Sequence, residues 1–434
     1  MALHPEQLLA NEVTRRKFIG VAAGTAAAMF IKPSLVRGSA ANSAVRVGLL
    51  GCGGRGTEDA SNLVDTGGAR VVALGDMFQD QLDLARKHFA EMQSGKGYAA
   101  LDASQLFVGP DAYQRIAASK EVDAIVIATP PYYHPQHLET VVGAGKHVYL
   151  EKPVAVDVPG ALKVIEIGKR VGDKLSLDVG FQIRDCPPFV EMVKRIHNGA
   201  LGNIVCGEAH YLTGYIDRPA WPNASPVERR LRNWVHDRTL SGDIIVEQNI
   251  HVIDICNWIL KDHPVKASAT GGRQGRPTDD GDCYGNYNVV FHYPNNVDVT
   301  FSSTQFAKGW WDVTERFFGT KGTSQSPYTG PLGIWGDEPW QYGPSTKPTG
   351  DAQSFSVTGN FTSNLEQADS EKKKAFVESI TSGKFHNQAA KGSESALSCM
   401  MARTAAYNGR DVTWDETMKS KEVWDPKIDL HRLA

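Results

Sequence analysis

Six residues, Gly51-Cys-Gly-Gly-Arg-Gly56, stand between the apolar run Val45-Arg-Val-Gly-Leu-Leu50 and a segment, Thr57 to Val64, able to start a helix. No other feature constrains the fold as much, because a G-x-G-x-x-G pattern holds a dinucleotide only in that strand, turn, helix setting. Gly51 permits the tight turn, Gly53 with Gly54 and Arg55 brings backbone amides toward a pyrophosphate, and Gly56 lets helix pack closely on strand. The diphosphate would then sit on a helix N-terminus. A second strand, Arg70 to Gly75, ends at Asp76, twenty positions beyond Gly56. A carboxylate there accepts hydrogen bonds from the adenosine ribose hydroxyls and repels a 2′-phosphate, so NAD is expected over NADP.

Further along, Val122 to Ala128 reads as a strand covered on both faces, stopped by Thr129-Pro-Pro131. Tyr132-Tyr-His-Pro leads into a helix, and Lys146 to Leu150 reads as the next parallel strand, delivering Glu151-Lys-Pro153 at its carboxyl end, where open α/β sheets bind ligands. A second chemical segment is Ser241 to Asp254. Glu247, His251, Asp254 and Trp258 fall at i, i+4, i+7 and i+11, so a single helix would carry them on one face and offer a carboxylate and an imidazole to a pocket. The same spacing fits a surface Glu-His pair. Metal ligation is disfavoured, because no H-E-x-x-H and no Cys/His cluster accompanies it, and no metal is expected.

Composition excludes other partners. Lys and Arg total 46 against 49 acidic residues with no dense basic block, so neither nucleic acid nor an anionic membrane is indicated, and small molecules are the expected ligands. The cysteines at 52, 186, 206, 256, 283 and 399 form no C-x-x-C pair, which points to mostly buried thiols. The N-terminus carries Thr14-Arg-Arg-Lys-Phe-Ile-Gly20, an apolar stretch from Val21 to Ile31, and Ser39-Ala-Ala41, in the order of a twin-arginine export signal. A periplasmic or otherwise exported protein is expected, with no membrane contact beyond that signal. Because this route exports folded proteins, the cofactor should be bound tightly.

Gly51 to Gly56, Asp76, Ala128-Thr-Pro130 with His134, and Gly145-Lys-His147 leading to Glu151-Lys-Pro153 together resemble the Gfo/Idh/MocA oxidoreductases. The resemblance implies an α/β protein: an N-terminal doubly wound Rossmann sheet, then a C-terminal α+β domain on a large, open, mostly antiparallel sheet. It assigns residues 1–41 to the signal, 44–153 to the NAD-binding domain and 154–434 to substrate binding and oligomerisation. It places Gly51, Gly53, Gly54, Arg55, Gly56, Asp76, Thr129, Pro130, His134, Glu151 and Lys152 around NAD. It also implies that His251 takes the hydroxyl proton with Lys152 assisting, whereas Glu247 stands where the family commonly has aspartate. Leu231-Arg-Asn-Trp234 is similar to an exported branch. Arg232, Asn233, Trp234 and Tyr133 are the expected sugar contacts, with Trp310 and Trp311 as further ring faces.

The expected reaction is oxidation of a ring hydroxyl, at C3, of a sugar or glycoside. The alternative is an NAD-dependent glycoside hydrolase that oxidises C3, eliminates the aglycone, adds water and re-reduces the ring. That route needs a second base near C2, for which Glu247, Tyr133 or His210 compete. Strands are expected at Ile204 to Leu212, Val265 to Thr270, Asn286 to His292 and Val297 to Ser302, a long loop over 341–363, and closing helices over 371–380 and 390–408. A homodimer or homotetramer is implied by the resemblance, and an uncovered apolar sheet face would need a partner.

Overall fold

The computed structural model describes residues 44–278, 281–343 and 364–433. Two sheets organise them. The first is wholly parallel and contains β1 (Val45–Leu50), β2 (Ala69–Asp76), β3 (Leu106–Val108), β4 (Ala124–Ile127), β5 (His147–Leu150) and β6 (Leu177–Val179), in the order β3-β2-β1-β4-β5-β6. Strand order reverses between β1 and β4, and the crevice above that point is where a doubly wound sheet takes its ligand. The central strands are buried on both faces, as in Ala124-Ile-Val-Ile127, because helices cover both sides.

β6 lies beyond the boundary expected at 153. The helix Val158–Val171 is a crossover that returns the chain to the same sheet, so the dinucleotide half runs to about residue 179.

The second sheet holds nine strands: β7 (Ile204–Leu212), β8 (Lys266–Gly272), β9 (Asn286–Tyr293), β10 (Val297–Thr304), β11 (Asp312–Gly319), β12 (Gly322–Gln325), β13 (Gly333–Gly336), β14 (Trp340–Gln341) and β15 (Val412–Thr413). Every pairing is antiparallel except β7 with β10. Strict alternation sets its two faces: Val297, Val299 and Phe301 are buried, while Asp298 and Thr300 are exposed.

The outer face corrects an expectation, because it is polar. Asp298, Thr300 and Ser302 on β10 stand in register with His292, Val290 and Asn288 on β9 and with Cys206, Glu208 and His210 on β7, and Arg316 pairs Glu208 across strands at 2.7 Å. An apolar face in need of cover is therefore no argument for an oligomer.

The closing helices are Ala368–Ser382 and Ala389–Asn408. Most of the loop expected over 341–363, and the whole export signal, lie outside the described residues. All six cysteines are free and only Cys206 is exposed. Among the described residues no helix is long and apolar enough to cross a membrane, and no cluster could hold a metal ion.

Candidate active site

A cleft of about 530 Å³ opens at the carboxyl ends of β1, β2, β4 and β5 and is walled on the other side by residues from 211 to 251. Its size suits a small-molecule site. The glycine-rich turn forms one side, and three glycines there answer three different demands. Gly51 has φ +95°, and a Cβ on it would lie 2.6 Å from the Ala128 carbonyl. At Gly56 a Cβ would stand 2.0 Å from Gly51 O, so helix and turn could not approach. Gly53 is the opposite case: a Cβ meets nothing within 4 Å, which is the space a pyrophosphate would fill. The helix Gly54–Asp65 begins with no side-chain cap, leaving its first amides for an anion. These residues fit a dinucleotide.

Asp76 closes the turn from below, accepting from Cys52 N at 2.7 Å and Phe78 N at 2.9 Å. Burial raises its pKa, against those two bonds. His134 places its ring nitrogens 2.7 Å from Pro153 O and Thr129 O, and burial lowers its pKa to about 4. It joins the Thr129-Pro130 turn to the Glu151-Lys-Pro153 segment, whose Lys152-Pro153 bond is cis.

Arg232 lines the cleft and is held there by its neighbours. Its guanidinium is bidentate to Asp80 (2.9 and 3.0 Å), donates from Nε to Glu228 at 2.8 Å, and lies over Phe78 at 3.8 Å and Trp221 at 4.6 Å. Asp80 and Phe78 follow directly on β2, so this clasp ties residues 228–232 to the carboxyl end of that strand. Asn233 donates to Pro219 O at 3.2 Å, and Trp234 packs with Tyr133, Leu231 and Leu240. Tyr133 is buried there, its hydroxyl without a partner among the described residues, and burial pushes its pKa far above the usual range. All four line the cleft. Trp310 is 63% exposed, and neither it nor Trp311 reaches the cleft. His210 lies outside it as well, on the outer sheet face 3.9 Å from Glu208.

The reacting end is built from two segments. Lys152 Nζ donates to Glu247 Oε1 at 3.0 Å and to the Glu247 carbonyl at 2.6 Å. The single helix expected there is broken: Ile244–Glu247 and Ile250–Leu260 are separate, with Gln248 and Asn249 turning between them. Glu247 and His251 still both reach the cleft, but Asp254 leaves it, held by Arg184 at 2.8 Å and Ser395 at 2.7 Å. Trp258 is likewise absent from the lining, and the Arg184 guanidinium lies over its ring. His251 is buried; desolvation first, then the Lys152 and Arg55 charges, push its pKa well down, so its imidazole is neutral.

Behind the turn lies a buried cluster that sequence reading misses. Arg55 contacts Asp59 (3.0 Å), Glu151 (3.1 Å) and Asp369 (2.7 Å), and Lys373 contacts Asp59 (2.6 Å) and Asp369 (2.9 Å). Two cations face three carboxylates, so one carboxyl keeps its proton. Burial raises Asp59 to about 7, whereas Arg55 and Lys373 hold Glu151 below its usual value against the same desolvation. A folded pKa raised this way gives stability that is full below the unfolded value and lost as pH rises through about 7. Asp59→Asn should therefore remove a one-proton decline of about 1.4 kcal/mol per pH unit between pH 5 and 7, read from denaturation midpoints of both proteins.

Residues 45–179 match the family described as "Oxidoreductase family, NAD-binding Rossmann fold", and residues 189–325 match the "GFO/IDH/MocA C-terminal domain". The inositol 2-dehydrogenase of Rhizobium meliloti (strain 1021) is 28% identical over 295 residues, which is 67% of this chain and 78% of that protein. Several further inositol 2-dehydrogenases match over 43% to 59% of their own length. In fold, the chain is similar to an aldose-aldose oxidoreductase from Caulobacter crescentus (TM-score 0.66, 19% identity, 85% of this chain and 99% of that one). It is also similar to a levoglucosan dehydrogenase in complex with NADH and levoglucosan (TM-score 0.64, 20% identity, 85% and 99%).

Proposed function

The chain belongs to the Gfo/Idh/MocA oxidoreductase family with an NAD-binding Rossmann domain, and on that premise we propose that it oxidises a ring hydroxyl, at C3, of a sugar or glycoside. The observation that carries this reading is the convergence of Lys152, Glu247 and His251 in one cleft that the glycine-rich turn also lines. NAD, when bound, supplies the acceptor for the hydride. Gly51 to Gly56 and Asp76 hold the dinucleotide. His251, neutral because it is buried beside cations, accepts the hydroxyl proton. Lys152, aimed by two oxygens of Glu247, stabilises the alkoxide that develops as the proton leaves.

The same reading has the protein exported by the twin-arginine route with its cofactor retained, as a homodimer or homotetramer. A retained cofactor outside the cytoplasm must be reoxidised in the same site, so the net reaction is oxidoreduction between two sugars. The hydrolase is the weaker reading. Of its three candidate C2 bases, Glu247 is engaged by Lys152, Tyr133 is a buried phenol with a raised pKa, and His210 lies outside the cleft.

The test is to purify the protein with its cofactor, add a panel of free sugars, inositols and nitrophenyl glycosides, and follow reduced-nicotinamide absorbance and nitrophenol release together. Stoichiometric cofactor reduction without catalytic nitrophenol release is expected. Multiple turnovers of nitrophenol with no accumulation of reduced cofactor would establish the hydrolase.

A further inference from the structure

Three buried side chains form a row that ends at the cleft. Arg276 Nη2 donates to Gln305 Oε1, Gln305 Nε2 donates to Gln248 Oε1 at 3.3 Å, and Gln248 lines the cleft in the turn between Glu247 and His251. A carboxamide can be turned end for end, but this row leaves no such freedom. A guanidinium only donates, so it must meet the oxygen of Gln305. Gln305 then turns its NH2 group to Gln248, which must answer with its own oxygen. Arg276 is itself anchored by the Tyr284 carbonyl at 3.0 Å and by the His236 ring at 3.3 Å. The row therefore terminates in the NH2 group of Gln248, which has no partner among the described residues.

A buried donor without an acceptor is rare in folded proteins. This one belongs to the residue next to the carboxylate that aims Lys152. We propose that Gln248 donates a hydrogen bond to a substrate oxygen on a carbon adjacent to the reacting carbinol, and that Arg276, through Gln305, fixes it as a donor. The substrates it selects are polyhydroxylated rings carrying an acceptor oxygen at that neighbouring carbon. Gln248 is thus a specificity residue, and Gln305 and Arg276 are positioning residues. The inference rests on the ring-hydroxyl reading above.

The experiment takes the fastest sugar from the panel together with its deoxy and deoxyfluoro analogues at each carbon flanking the oxidised one. Fluorine accepts weakly and cannot donate, so the three compounds separate donor from acceptor recognition. In the unaltered enzyme, the deoxy compound at one flanking carbon should lose about 100-fold or more in kcat/KM, because it leaves a buried polar group unpaired. The fluoro compound should stay within about 10-fold of the parent. Gln248→Leu should bring deoxy and parent to within about 5-fold of each other. Gln305→Glu is the sharper variant: its carboxylate still accepts from Arg276 but also accepts the Gln248 NH2 group, turning the Gln248 oxygen outward. The fluoro compound should then fall as far as the deoxy one, while the hydroxyl parent, which can donate, stays active. A merely structural role for Gln305 would not reorder the analogues. If sugars turn over but neither variant changes the analogue ratios, Gln248 plays no such part. If no sugar or inositol reduces the cofactor, the ring-hydroxyl reading fails and this inference fails with it.

Discussion

Lys152→Ala should lower the rate of cofactor reduction by about 10³-fold or more while the purified protein still carries NAD. The size follows from its two tasks, since removing one donor from a developing oxyanion and one partner from a proton relay each cost about 10² to 10³. The ammonium of Lys152 contacts Glu247, whereas the glycine-rich turn and Asp76 are separate parts of the cleft lining, so NAD is expected to stay bound. Rapid mixing with sugar, followed at the reduced-nicotinamide band, gives the rate, and the nucleotide released on heat denaturation gives occupancy. Loss of both together would mean that the lysine holds the cofactor; loss of less than tenfold would remove it from the mechanism.

Two neighbouring glycines should respond oppositely to the same added methyl group. Gly56→Ala drives a Cβ to 2.0 Å from a backbone oxygen and to 3.1 Å from the Ala128 and Leu49 side chains. Backbone cannot rotate away, so about 3 kcal/mol of stability should be lost together with the dinucleotide site. Gly53→Ala meets no protein atom, and its φ of -71° is one alanine adopts freely. Folding stability should be unchanged, whereas NAD affinity should fall about 10- to 100-fold as the methyl occupies the pyrophosphate position. Denaturant midpoints and calorimetric titration of cofactor-stripped protein separate the two effects. Equal stability losses at both positions would mean that the turn is constrained for folding alone.

What was legible in the sequence was local. Gly51, Gly53 and Gly56 were readable because a strand, a turn and a helix follow one another there in sequence, although the Ala128 backbone that crowds Gly51 comes from a distant strand end. β7 runs over Ile204–Leu212 as expected, and from Gly207 onward its residues alternate between buried and partly exposed. Lys152 and His251 were found through motifs, and the cleft contains both.

What the sequence does not announce lies mostly between distant segments. The pair of Arg232 with Asp80 spans 152 positions, and no sequence pattern links the two. Glu247 lines the cleft and also holds Lys152, because the helix expected through it is interrupted at 248–249, where no proline or glycine announces a turn. Asp369 and Lys373 sit in Asp-Ser-Glu-Lys-Lys-Lys, which reads as a solvated helix end, yet Lys373 is wholly buried. Gln248, Gln305 and Arg276 are ordinary polar residues until the fold aligns them.

That buried cluster has a consequence for modularity. Arg55 and Asp59 belong to the first Rossmann helix, but their charge balance is completed by Asp369 and Lys373, the former 314 positions from Arg55. A dinucleotide half cut out at residue 179, or grafted onto a relative's second half, would lose the Asp369 contact of Arg55 and the Lys373 contact of Asp59, leaving Arg55 with Asp59 and Glu151 alone. The two halves that the sheets define are therefore not interchangeable parts. Any recombination of this chain that keeps the glycine-rich turn working has to carry one turn of a helix near its far end along with it.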